Sequence, residues 1–178
     1  MAADTAHKLD AGSRTERRSE EFSKLVAENL PNESINRAFA MLLGEQIAKD
    51  GREVRITRVA RPHGSDDLAL STSDDLVPTP GYMQLLLRLS VGYGATSATA
   101  SYIPMTIIEY ALKDAEGKAL MSRSFTRFYS ESDKTFLTYA GLLGDYRGAR
   151  DELSARLNYW AEPVYAQIFR FPDTVAAE

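Results

Sequence analysis

Cysteine is absent from the 178 residues, histidine occurs twice and tryptophan once. Without cysteine there are no disulfides, no thiol nucleophile and none of the usual cysteine-ligated zinc, while the redox compartment is left open. His7 and His63 are too far apart in sequence to act as a spaced metal-binding pair. No stretch approaches the roughly 20 apolar residues of a membrane span, and Met1 to Ser13 holds no apolar run of signal-peptide length. Positive charge is not in excess. The 21 Lys+Arg stand against 25 Asp+Glu for a net charge of -4, which disfavours a chain that works by neutralising nucleic-acid phosphates.

The composition that remains is that of a soluble globular protein, with 44% hydrophobic and 26% charged residues at a mean hydropathy of -0.31. That supplies apolar material for one core. The expected organisation is a flexible polar lead over residues 1–13, a single globular domain over 14–171 and a frayed tail over 172–178.

A helix is expected from about Arg14 to Asn29, where Phe22, Leu25 and Val26 form a narrow apolar stripe before Pro31. Stronger periodicity follows. Ile35, Ala38, Phe39, Leu42, Leu43 and Ile47 share one helical face, with Asn32 or Ser34 as cap and Gly51 as stop. Glu53 to Val59 alternates as a short strand. Residues 60–81 make a polar connection, rich in proline, that is longer than most linkers within compact domains. A long strand runs from Tyr82 to Tyr93 with Leu85, Leu87 and Leu89 on one face. Thr106, Ile108, Tyr110 and Leu112 alternate again, and Asp114-Ala115-Glu116-Gly117-Lys118 supplies turn chemistry before a strand over Ala119 to Tyr129, which together spell a β-hairpin. A short helix over Lys134 to Leu143 is expected to bury Phe136, Leu137 and Tyr139. The last long helix carries Leu153, Leu157, Trp160, Val164 and Ile168, kinked or split by Pro163. The class is therefore α/β or α+β: a small, largely antiparallel sheet of about four strands packed with helices, including an amino-terminal amphipathic helix and a long carboxy-terminal one.

Few residues stand out chemically. Ser65-Asp66-Asp67-Leu68 is echoed by Ser73-Asp74-Asp75-Leu76, and four carboxylates suit a hard cation. The spacing lacks the alternation and glycine of an EF-hand loop, so solvated acids are the simpler reading, with cation binding by Asp66, Asp67, Asp74 and Asp75 left open. His63 lies beside Ser65 and Asp66, too close in sequence for the scaffolded geometry of a triad. Arg52, Arg55, Arg58 and Arg61 recur every third residue, which on a strand sends them to both faces; guarding an edge is the simpler role. Phe125, Phe128 and Tyr129 near Arg123 and Arg127 outline a base-stacking platform, but the acidic chain and incomplete motif favour core packing. Val91-Gly92-Tyr93-Gly94 lacks the lysine of a phosphate loop, and Glu45 and Glu109 read as surface charges. No catalytic, metal or cofactor site is expected.

The run from the Ile35 helix to Val59, the hairpin turn Leu112-Lys113-Asp114-Ala115-Glu116-Gly117-Lys118-Ala119-Leu120, and Gly144-Asp145-Tyr146-Arg147-Gly148-Ala149 opening a terminal helix together resemble small bacterial envelope lipoproteins. The group includes the curli-secretion lipoprotein and the lipoprotein activators of penicillin-binding proteins, and is similar in architecture to the amino-terminal domain of the Tol-system propeller protein. The resemblance spans roughly Ile35 to Ile168. It implies a non-enzymatic accessory protein that binds another envelope protein, periplasmic and outer-membrane anchored through a cysteine absent here. A cytoplasmic protein is the alternative. No site residue carries over.

The leading expectation is thus a protein-binding accessory module of the cell envelope. Its rivals are a small-ligand binder or enzyme with a carboxylate-based site, and a structural subunit of an oligomeric envelope assembly. The alternation that buries Leu85 and Ile108 points Leu86, Met105 and Ile107 the other way, joined by Arg88 and Glu109. These five residues are the candidate partner surface, because a face so apolar is normally covered. The Arg14 to Asn29 helix is the first expected cover; another protein or a second copy is the other. Neither nucleic acid nor a cofactor is an expected partner, and a membrane is reached only through a lipid anchor that this chain lacks.

Overall fold

The computed structural model describes residues 17–30, 34–59, 78–95, 97 and 99–170. The lead, the tail and most of the long polar connection, with His63 and the four aspartates, lie outside the described residues. Residues 17–29 form helix α1. Then come α2 (Ile35–Ala48), β1 (Gln84–Gly94), β2 (Ile103–Lys113), β3 (Ala119–Phe128), α3 (Tyr139–Gly144), α4 (Tyr146–Asn158) and α5 (Ala161–Phe169). The class is α+β.

The three strands form an antiparallel meander in the order β1-β2-β3. Its centre is the expected hairpin, closed by a turn in which the Asp114 carboxylate accepts from the Glu116 and Lys118 amides and Gly117 takes a φ of 83°. Only glycine enters that region without steric cost. Leu87 pairs with Tyr110 and Leu89 with Ile108, so the apolar sets of two strands meet on one face. Onto that face Phe39 and Leu43 of α2, Leu157 of α4 and Val164, Tyr165 and Ile168 of α5 close the larger of two apolar clusters. The helices are there because their apolar positions recur at helical spacing, and α2 is capped by Ser34, whose hydroxyl accepts from the Arg37 amide. Burying each such side chain is worth about 1.5 to 3 kcal/mol.

Three expectations are corrected. The sheet has three strands, not about four, because Glu53 to Val59 pairs with no strand among the described residues. Its alternation is used differently: Val54 and Ile56 pack over Gly44 of α2, where an added Cβ would meet them at 3.3 and 3.1 Å. The helix expected from Lys134 begins only at Tyr139. Before it, Phe136 and Tyr102 exchange backbone hydrogen bonds, which holds residue 136 extended and leaves Leu137 86% exposed rather than buried. The terminal helix is split, as its proline leads one to expect: one helix ends at Asn158 and the next begins at Ala161, with Pro163 in the first turn of α5, where its missing N–H is no loss. Finally, α1 does not cover the far face of the sheet. Phe22 instead packs with Leu142, Ala149 and Leu153, edge-on to Tyr93, on the side of the helices.

Candidate functional site

The register that sends Leu87, Ile108 and Tyr110 into the core fixes the opposite set as well. On the far face β2 presents Met105, Ile107 and Glu109 in a row. β1 lays Leu86 beside Ala111 and Arg88 beside Glu109, and β3 adds Leu120, Ser122, Ser124, Thr126 and Phe128. All five residues of the sequence-derived surface, Leu86, Arg88, Met105, Ile107 and Glu109, therefore share one face. None of them belongs to either apolar cluster that the helices build.

Arg88 and Glu109 are cross-strand partners whose side chains meet at 3.1 Å, with 21% and 25% of their surfaces exposed. Partial desolvation makes such a pair stronger than a fully exposed one. Ile107 stands between Ser90 and Thr126, and Met105 between Gly92 and Phe128, so the middle strand forms an apolar ridge with short neighbours on most of its length. Toward the hairpin turn Ala111 and Lys113 are buried. Exposure concentrates along β3, where Phe128 is 46% and Leu120 52% exposed.

Phe128 is a residue that sequence reasoning misplaced. It was grouped with Phe125 as core, but three positions separate them, an odd number that puts them on opposite faces of a strand. Phe125 packs on Trp160 with ring centroids 4.6 Å apart, whereas the Phe128 ring reaches back across β2 to within 3.5 Å of the place a Cβ on Gly94 would take. Alternation counted from Phe125 was the signal available.

A second polar cluster lies where β3 hands over to α3 and α4. The buried Ser132 hydroxyl donates to Glu152 Oε1 at 2.5 Å and accepts the Lys134 amide, while Arg156 Nε donates to the same carboxylate at 2.7 Å. Burial pushes the Glu152 carboxyl up, but the Ser132 and Arg156 bonds outweigh it and hold it below the usual value. An ionised, doubly bonded carboxylate is a brace rather than a poised base. Tyr93 beside it is raised by burial first and by the Glu152 and Asp145 charges second. At the far end of the helix layer, Arg17, Arg18, Glu21 and Tyr139 line an open depression of about 270 Å³. Burial, then the bond to Glu21, leaves the Tyr139 phenol pushed up to about 12.

Among the described residues no three His, Cys, Asp or Glu side chains come together in a way that would hold a metal ion, and no helix is long and apolar enough to cross a membrane. No protein-family model, no curated protein and no solved structure matches the chain.

Proposed function

We propose that the chain is a non-enzymatic protein-binding accessory module whose contact surface is the far face of the sheet. One observation carries the reading: among the described residues the helices close only one side of the meander, and the other side bears a ridge of Met105 and Ile107 flanked by exposed Phe128, with Arg88 and Glu109 paired at its centre. Apolar ridges with satisfied charges are what a desolvated protein contact requires. A place in the bacterial envelope rests on the likeness to envelope lipoproteins, and fractionation of cells producing the native gene product tests it.

A photoreactive phenylalanine derivative at position 107, activated in the producing cells, tests the surface. The expected result is one discrete protein adduct from position 107 and none from position 41, an exposed apolar position on α2. Equal labelling from both positions, or none from 107, contradicts the proposal.

A further inference from the structure

β3 differs from the other edge strand in being exposed on both faces. Only Met121 and Phe125 pack against the core, and the remaining eight of its ten residues are exposed, whereas β1 is at least partly buried at every position but Ser90. No strand lies beyond β3 among the described residues, so alternate backbone N–H and C=O groups along its outer edge have no ladder partner there. The register of β3 against β2 is regular from Met121 to Phe128, the single irregularity lying at Leu112/Lys113. The irregularity leaves Leu120 without a register partner, so the straight template is the stretch from Met121 to Phe128.

Its charge is one-sided. Arg123 and Arg127 lie four residues apart on one face of β3, both exposed; Arg123 donates to the adjacent Ser122 carbonyl at 3.2 Å, and neither makes an ion pair among the described residues. Edge arginines hinder self-pairing: in an antiparallel pair of β3 strands centred on Phe125, Arg123 of one copy faces Arg127 of the other, and like charges directly opposite are destabilising. The same two charges favour an incoming strand with acids at the facing positions. We propose that the outer edge of β3 takes up an extended acidic peptide by strand addition. Laid antiparallel along Met121 to Phe128, such a peptide sets carboxylates opposite Arg127 and Arg123, four residues apart, and an apolar side chain opposite Phe128 on the far face, one residue before the first acid. Backbone bonds supply affinity and the alternating side chains supply selection.

The inference adds a second surface to the protein-binding reading and is separable from it. The probe is the peptide Val-Glu-Thr-Val-Thr-Glu-Thr-Val-Val, blocked at both ends, with a control carrying lysine for both glutamates, titrated into the full chain labelled with nitrogen-15. The glutamate peptide is expected to shift β3 amides, to slow exchange of those on its outer edge, and to bind at least about tenfold more tightly than the lysine peptide, a preference weakened by salt. Arg123→Glu/Arg127→Glu, at exposed sites and checked for native circular dichroism, should reverse the preference. Equal binding of the two peptides, shifts confined to β1, or an unchanged preference in the charge-reversed chain would overturn the proposal. Failure of the peptide while position 107 still yields its adduct would remove the edge site alone.

Discussion

The indole N–H of Trp160 donates to the Tyr129 hydroxyl at 2.6 Å, and the same hydroxyl lies 3.1 Å from Thr106 Oγ1. One buried oxygen thus ties the start of α5 to the end of β3 and to the middle of β2. The Arg156 guanidinium lies over the Tyr129 ring, 4.9 Å from its centre. The residues on either side of Tyr129 are exposed, and its amide also donates to the Pro104 carbonyl at 2.9 Å.

Tyr129→Phe keeps the ring and removes the oxygen. It leaves the Trp160 N–H and the buried Thr106 hydroxyl short of a partner, and a loss of about 1 to 3 kcal/mol is expected in urea denaturation. A loss below about 0.5 kcal/mol would show that the oxygen is not a junction.

Leu157 is buried in the core beneath the sheet and Leu137 is almost wholly exposed. Leu157→Ala should cost about 2 to 5 kcal/mol through lost transfer energy and a cavity, and Leu137→Ala should stay within about 0.5 kcal/mol. Comparable losses at the two positions would contradict the placement of α3 and α4.

Leu137 also marks the limit of what the sequence discloses. Alternation over Thr106 to Leu112 and helical spacing over Ile35 to Ile47 are local signals, and both elements stand where those signals put them, as does the Gly117 turn. The Phe136–Tyr102 bridge joins residues 34 positions apart, and no local pattern announces it. Val54 and Ile56 carried a true period of two but found a helix rather than a strand edge, because alternation reports extended backbone and not its neighbour. For the candidate surface, parity alone grouped Leu86, Arg88, Met105, Ile107 and Glu109. That α1 folds to the helix side, and so leaves that face uncovered by it, followed from Phe22 meeting Tyr93, a contact of long range.

Acid should weaken the fold in a defined window. Asp145 is held below its ordinary 3.8, first by the bond from the Lys134 ammonium, and Glu152 below its ordinary 4.5 by the Ser132 and Arg156 bonds that outweigh its burial. Carboxyls depressed in the folded state stabilise it above their unfolded values and lose that contribution as pH falls through the folded ones. Urea midpoints should therefore hold down to about pH 5 and decline below it. Glu152→Gln should lower the midpoint at pH 7 and flatten part of the acid-side decline. An acid slope identical to that of the unmodified chain would contradict the role of the brace.

The hairpin turn gives a conformational test. Gly117→Ala forces a side chain into a φ of 83° and should cost about 1 to 2 kcal/mol. Asp114→Ala, which removes the acceptor of the Glu116 and Lys118 amides, should cost about 1 kcal/mol. Stability unchanged by either substitution would rule out this turn geometry.

The far face as a contact surface is tested most directly by the adduct yield from position 107 in a Met105→Arg chain. Met105 lies on the ridge beside Gly92, where no described residue stands within 4 Å of an added Cβ, so there is room for the longer side chain without disturbing the core. The expected result is a folded protein, its urea midpoint shifted by no more than about 1 kcal/mol equivalent, that no longer forms the adduct. Either an adduct of undiminished yield or an unfolded Met105→Arg chain would contradict the account, the first by separating the ridge from binding and the second by making it interior.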